Sequence, residues 1–399
     1  MSDQELRISR REFLRVAGVA GAVPLFAAGK ALAADAVTIP TRPFGRSGVR
    51  VPILSLGGMF DVPGNQLLLR QALKMGVSYW DTADCYEGGL SESGFGRFFK
   101  KYPDDRKKVF LVSKADERDP AGMTRLLERS LERLKTDYID LYLAHNIGDI
   151  DEVNLVATRQ WAEKMKAEGR IRLFGFSTHR NVARTVRPAA DLDWIDGIML
   201  AYNYRTMNTP DLKAAVGTCH GAGIGLTAMK FRGFGPIPGR ALTGKKLVEG
   251  FRKKGFTEDQ AKLKAVWENP KISTMCALMK NMSTLKSFVA AARDRQKLSA
   301  DDRGVLDAHA RETRGGYCAG CANICEAAVD GNVPVSDVMR YLMYHHGYGE
   351  TEKARGLFHA MDAATRRHMT GLDYGEAERR CPHGLPIARL MHEAVRVLA

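Results

Sequence analysis

Past its first 33 residues the chain lacks any apolar run near the roughly 20 residues that cross a bilayer as a helix. No further membrane-spanning helix is therefore expected. A nucleic-acid-binding motif is missing as well. The formal charge of +14 would by itself permit contact with nucleic acid. Its basic residues are dispersed among acidic ones, however, and no nucleic acid is expected among its partners. A solvated basic surface that draws anionic membrane or substrate is the better reading. There are no low-complexity tracts, and no internal repeat beyond a strand–helix unit. Cysteine is scarce: the 399 residues hold seven, and four of these fall after residue 317.

What the chain does have is apolar content, 45 %, enough for a large core. From Val51 onward, short apolar runs alternate with longer amphipathic ones. Eight runs read as strands: "VPILSLGG", "VSYWDTAD", "VFLVSK", "YIDLYLAH", "RLFGFSTH", "IDGIMLAYN", "IGLTAMKF" and "ISTMCALM". Between them lie helical stretches such as "AGMTRLLERSLERLK", where Leu126, Leu127, Leu131 and Leu134 share one face. Eight strands separated by helices predict an α/β fold, a parallel (β/α)8 TIM barrel in a helical jacket. "FGRSGVRV" predicts a small hairpin closing the barrel bottom. The alternation stops near Ala292, where the charged "ARDRQKLSADDRG" reads as a linker or exposed helix. The expected organisation is a barrel over 40–295 and a small helical, cysteine-rich extension over 296–399. Within the extension, "VPVSDVMRYLMYHHG" reads as an amphipathic helix ended by Gly347, with His345 and His346 as a solvated pair.

In such a barrel the chemistry sits at the C-terminal ends of the strands. Three successive strands deliver ionisable groups to that rim: Asp81 with Tyr86 close behind, Lys114, and His145. Singly, each has a plain explanation. A strand-end Asp often caps a helix, a Tyr packs, and a lone His is a satisfied core residue. Together they describe a proton donor. A phenol titrating at about 10 gives up its proton reluctantly at neutral pH. The Lys114 ammonium is expected to lower that value, with Asp81 holding Lys114 and His145 orienting the substrate oxygen. Tyr86 then protonates a carbonyl oxygen as hydride reaches carbon; the reverse reaction oxidises an alcohol.

The segments "FGRSGVRVPILSLGG", "WDTADCYEGG", "LVSK", "DYIDLYLAH" and "GRIRLFGFSTH", in this order, resemble the aldo-keto reductase superfamily over about residues 40 to 292. The resemblance implies that Asp81, Tyr86, Lys114 and His145 form the catalytic tetrad. It also implies a nicotinamide cofactor, usually NADP(H), bound without a glycine-rich dinucleotide loop; none is present. Where that family often grips the nicotinamide amide with Ser-Asn, this chain has Ser177-Thr178, and Met199 stands where a Gln is usual. Lys230, Lys280, Ser283 and Lys286 are candidates for cofactor phosphates, and equally for exposed helix-start residues.

Cys85, Cys219 and Cys276 are isolated in barrel segments and expected to be packed. The other four are not scattered. Cys318-x2-Cys321-x3-Cys325, with a distant Cys381-Pro382, resembles the ligand set of a [4Fe–4S] cluster. Some aldo-keto reductase relatives carry a ferredoxin-like C-terminal extension of this kind. Zinc on the same four thiolates and disulfides in an oxidising compartment remain open.

At the other end, "SRREFLRVAGVAGAVPLFAAGKALA" combines Arg10-Arg11, an apolar segment from Val16 to Gly29, and the small-residue site Ala31-Leu32-Ala33. It resembles a bacterial twin-arginine signal peptide over 1–33. The expected location is the periplasm and the expected export partner is the twin-arginine machinery. That route carries folded proteins, and a cluster must be inserted into a folded protein before export, so the two ends of the chain agree. The expected function is an exported aldo-keto reductase-like oxidoreductase acting on a small carbonyl or alcohol. Its cluster either relays electrons to a redox partner protein or pins the extension in place. A non-catalytic electron-transfer or binding protein on a barrel scaffold is the alternative.

Overall fold

The computed structural model describes residues 38–237, 249–330 and 333–399; the expected signal over 1–33 lies outside them. Among the described residues no helix is long and apolar enough to cross a membrane. Residues 38–399 form one compact unit.

Eight parallel strands close into a barrel in the order β10-β3-β4-β5-β6-β7-β8-β9. They are β3 (Leu54–Gly57), β4 (Tyr79–Asp81), β5 (Phe110–Ala115), β6 (Ile139–Ala144), β7 (Ile171–Thr178), β8 (Gly197–Ala201), β9 (Gly225–Met229) and β10 (Thr274–Leu278). Each coincides with one of the eight apolar runs, β5 and β7 each reaching one residue beyond theirs. A strand covered on both faces needs apolar residues at every position, and β5 and β6 are buried throughout. The jacket helices follow from local chemistry. Helix Pro120–Leu134 starts where the Asp119 carboxylate accepts from the Gly122 amide, with Pro120 in its first turn. It buries Leu126, Leu127, Leu131 and Leu134, and stops at Lys135, whose φ is +52°.

The hairpin pairs β1 (Thr41–Pro43) with β2 (Arg50–Pro52). Its turn drives Phe44, fully buried, into the barrel floor, 5.3 Å from the Phe110 ring. The neighbouring strands make room by lacking side chains. A Cβ on Gly225 would lie 2.5 Å from the Phe44 ring, and one on Gly197 2.9 Å.

The strand–helix alternation ends with helix Met282–Arg293. The charged stretch after it begins a true helix, Ala300–Glu312, whose N-cap Ser299 and Asp302 bond reciprocally. Further on, helices Val335–Tyr348, Thr351–His359 and Ile387–Leu398 build a second apolar core around Val338, Leu342, Phe358, Leu390 and Met391. Gly347 does not end the first of these. The helix runs on to Tyr348, and Gly349 caps it at φ +68°. Gly347 instead gives clearance to Phe234, whose side chain a Cβ would meet at 2.8 Å. Nor are the adjacent histidines a solvated pair. His345 Nδ1 lies 3.0 Å from the Thr351 hydroxyl, and His346 Nε2 lies 2.9 Å from Glu393.

Candidate active site

Lys114 ends β5 with its ammonium almost wholly buried, 2.6 Å from the Asp81 carboxylate. It donates to the Thr82 carbonyl at 2.6 Å and to the Tyr86 hydroxyl at 3.3 Å. The ammonium thus makes two hydrogen bonds and one close ion pair. Tyr86 receives Lys114's hydrogen bond and keeps its own proton for another acceptor. The ring of His145 stands edge-on to Tyr86, centroids 5.8 Å apart. The structure therefore brings the four rim residues together.

One expectation about them needs correcting. Lys114 does not lower the pKa of Tyr86. Burial, followed by the nearby Asp81, pushes the phenol well above its ordinary value of 10.0. The charge of Lys114 is spent on Asp81, so Tyr86 is held as a protonated donor. Burial likewise lowers the value of His145, against the opposing pull of Asp116. His145 Nδ1 lies 3.1 Å from the Asp116 carboxylate. Burial would raise Asp116, but His145, Cys85 and Arg118 outweigh it and keep the group ionised. An ionised carboxylate only accepts, so this contact assigns the proton to Nδ1 and leaves the lone pair on Nε2.

Sequence reasoning missed several neighbours. Cys85 Sγ lies 3.7 Å from His145 Nδ1. Cys276 lines the mouth cavity with Asp81 and Tyr86. Tyr344, Tyr348 and Glu350 of the extension close that cavity from above. No local signal marks these three; they become neighbours of the rim only when the extension docks.

The residues proposed for the cofactor are not all alike. Ser177 Oγ accepts the Asn146 amide at 2.9 Å and keeps its own proton. The Thr178 hydroxyl is consumed by the Arg180 carbonyl at 2.8 Å. Lys230 follows β9 at φ +64° and lines the mouth cavity. Lys280 and exposed Ser283 flank the start of helix Met282–Arg293; there Lys280 pairs with Glu350 of the extension at 2.6 Å.

Comparison with known proteins adds to this geometry. The sequence model described as "Aldo/keto reductase family" matches residues 58–297. The chain belongs to that family. Among relatives, the "Uncharacterized oxidoreductase YqkF" of Bacillus subtilis is 35 % identical over 154 residues, covering 35 % of this chain and 49 % of the relative. The "Aldo-keto reductase yakc [NADP(+)]" of Schizosaccharomyces pombe is 28 % identical, covering 42 % and 53 %. The chain thus spans about half the length of these relatives. Among solved structures, the aldo-keto reductase AKR11C1 of Bacillus halodurans superposes with a TM-score of 0.57 at 23 % identity, covering 68 % of this chain and 96 % of that one. A thermostable aldo-keto reductase solved with the inhibitor epalrestat gives 0.56 at 25 % identity, covering 68 % and 99 %.

Whether this family member fits a nicotinamide dinucleotide can be tested on its donors and its space. A helix start with exposed amides, Ser283 and Lys280 suits a phosphate, and the free Ser177 hydroxyl suits an amide. The space does not yet suit the ring. The mouth cavity is about 80 Å³, against the roughly 150 Å³ that a benzene-sized group fills. The donors thus suit the cofactor's phosphate and amide, while Glu350 of the extension, paired with Lys280, lines the cavity at its narrow mouth.

The other four cysteines line a single apolar cavity together with Met339 and Leu385. All are free thiols, and the Leu385 amide donates to Cys381 Sγ at 3.5 Å. No three of their sulfurs lie mutually within 4.8 Å. A single zinc ion with ligands at about 2.3 Å would draw them closer than that, whereas a larger iron–sulfur body would not. The cysteine loop is tied to the barrel rim. Asn181 donates to the Gly320 carbonyl at 2.7 Å and its side chain accepts from the Asn323 amide at 2.9 Å.

Proposed function

We propose that the protein is an exported aldo-keto reductase that interconverts a small carbonyl compound and its alcohol with NADP(H), and that its extension holds a [4Fe–4S] cluster. The observation that carries the enzymatic part is the ion-paired Lys114 ammonium beside a protonated Tyr86. Bound at the rim, the nicotinamide supplies the hydride. Tyr86 holds the proton that the carbonyl oxygen takes up. Lys114 fixes the phenol and offsets negative charge as it develops there. Neutral His145, aligned by Asp116, presents the Nε2 lone pair, which accepts from the alcohol hydroxyl and offers no hydrogen bond to a carbonyl oxygen. Ser177, Lys280 and Ser283 hold the cofactor. Such a complete arrangement disfavours the reading of a barrel without activity.

Cys318, Cys321, Cys325 and Cys381 are the cluster ligands, and the cluster supplies one-electron transfer. Two adjoining cavities favour a relay to a redox partner over a purely structural cluster. His179 and Lys230 line both the mouth cavity and a second cavity, whose far wall includes Cys318 and Met339 of the cysteine cavity. Export to the periplasm through the twin-arginine machinery rests on the sequence of residues 1–33. It accords with a cluster that must be installed before transit.

The test uses the full chain prepared without oxygen. Iron and acid-labile sulfide should each approach four per chain and fall sharply in Cys381→Ser. NADPH oxidation with small aldehydes should be measurable and nearly abolished in Tyr86→Phe. A metal-free preparation that reduces aldehydes would remove the cluster and leave the reductase. Replacing Arg10 and Arg11 by lysine should retain the protein in the cytoplasm; unchanged export would remove the twin-arginine reading.

A further inference from the structure

The extension brings a second tyrosine to the barrel mouth, inside a cage of cations. Lys230 Nζ donates to the Tyr344 hydroxyl at 2.9 Å. The ammonium groups of Lys230 and Lys353 stand 4.4 and 4.6 Å from the Tyr344 ring centroid. Lys353 also reaches within 6.0 Å of the Tyr86 ring. Arg340 lies one helical turn before Tyr344 and lines the cavity next to the mouth with His179 and Lys230.

These cations are short of counter-charge. Lys353 Nζ is buried without a hydrogen-bond partner. Its nearest carboxylate, Glu350, is shared: Oε2 stands 3.6 Å from Lys353 while Oε1 stands 2.6 Å from Lys280, so one anion serves two cations. Arg340 donates to Asp337 at 2.8 Å, but its Nε has no partner, and Asp337 is shared with Arg180 at 3.7 Å. Lys230 meets a phenol rather than a carboxylate. Its left-handed φ of +64° is a strain of about 1–3 kcal/mol that persists at sites where it serves a purpose. Cations buried with too few anions are costly, and the cost is recovered when an anion binds among them. Tyr344 measures how strongly the cage favours negative charge. Burial would raise its pKa, yet Lys230, Arg340 and Lys353 outweigh burial and bring it to about 7.

We propose that the carbonyl substrate carries a carboxylate, held by Lys230, Arg340 and Lys353 beside Tyr86. This rests on the reductase reading above and narrows its substrate class to oxo acids. Two of the three cations belong to the extension, so the extension completes the substrate site. A cofactor phosphate is the other possible anion. It is better served by Lys280 and Ser283 at the barrel edge than by groups facing Tyr86.

The experiment pairs pyruvate with methyl pyruvate, which lacks the negative charge and carries one more methyl group; the Lys353→Met comparison separates charge from size. Pyruvate should be favoured in kcat/KM by at least tenfold. Lys353→Met should collapse that preference toward one, chiefly through KM, while Lys353→Arg retains most of it. The melting curve of each variant checks folding. Calorimetry with pyruvate in the absence of cofactor should show binding that Lys353→Met weakens by at least tenfold. Equal use of acid and ester, or a preference for the ester, overturns the proposal. So does a Lys353→Met variant whose defect lies in NADPH affinity rather than in pyruvate KM. If no carbonyl compound is reduced but pyruvate still binds in a Lys353-dependent manner, the reductase reading fails and the carboxylate site stands.

Discussion

The Lys114 ammonium donates to the Tyr86 hydroxyl at 3.3 Å while ion-paired to Asp81 at 2.6 Å. The phenol proton is thereby left for a substrate. Removing the hydroxyl should affect chiefly the proton transfer. Tyr86→Phe is expected to lower kcat by about 10²–10⁴-fold, with a modest fall in melting temperature from the lost Lys114–Tyr86 hydrogen bond. Asp81→Asn should act differently, because it strands the buried Lys114 charge. A loss of about 3–5 kcal/mol of stability is expected, measured by denaturant unfolding.

The pH profile follows from the same environment. Burial, then Asp81, raises the value of Tyr86 above 10.0, so the active protonated form persists through the alkaline range. Burial lowers that of His145 below 6.5, so the ring is already neutral at pH 6.5. With Tyr344 replaced by phenylalanine, so that the cage itself does not titrate, the rate should therefore be flat from about pH 7 to 10. A decline with an apparent pKa below 9 that persists in Tyr344→Phe would contradict the assigned state of Tyr86.

The barrel and its tetrad were legible because both are local. Strands buried on two faces leave continuous apolar runs, and Asp81, Lys114 and His145 stand where such runs end. The cage was not legible. Arg340 and Tyr344 read as parts of an amphipathic helix, nothing marked Lys353, and only docking of the extension sets them against Lys230. Gly347 misled for a related reason, since a glycine near a helix end suggests a cap while its actual use is clearance for Phe234. The acidity of Tyr86 was misjudged because the sequence shows which charges are near but not how deeply the phenol is buried.

The barrel floor offers a stability test. A Cβ on Gly225 would stand 2.5 Å from the Phe44 ring, which is fully buried among Tyr79 and Phe110 and has little room to move. Gly225→Ala should cost about 3 kcal/mol through overpacking. Combining it with Phe44→Leu should recover part of that loss, so the double-mutant cycle should show clear coupling. Additive losses would mean that the two residues do not share the floor.

The cysteine loop offers a docking test. Gly320 holds φ +76°, and a Cβ there would lie 2.3 Å from the His179 carbonyl oxygen. Gly320→Ala should therefore push the loop off the β7 end and break the bond from the Asn181 amide at 2.7 Å. Faster hydrogen exchange across Cys318–Cys325 is expected, together with poorer retention of bound iron, while β3 to β6 stay protected. Exchange unchanged across the loop would show that the contact does not hold it.

His309 sets a stability test with a defined direction. Its ring stacks on Tyr204, centroids 6.2 Å apart, at the junction of the barrel and helix Ala300–Glu312. Burial first, then Arg205 and Lys262, bring its value from 6.5 down to about 4. In the folded chain the ring thus resists protonation, while the unfolded chain takes the proton near 6.5. As pH falls between these values the unfolded state binds more protons, so stability falls with it. The contribution of His309 is present in full above pH 6.5 and lost by about pH 4. Partial solvent exposure screens part of the effect. His309→Phe keeps the stack but cannot titrate. Its melting temperature should therefore fall less steeply than that of the wild type between pH 6.5 and 4, with the two curves parallel above pH 7. Identical slopes throughout would mean that the neutral ring contributes nothing to holding this helix against the barrel.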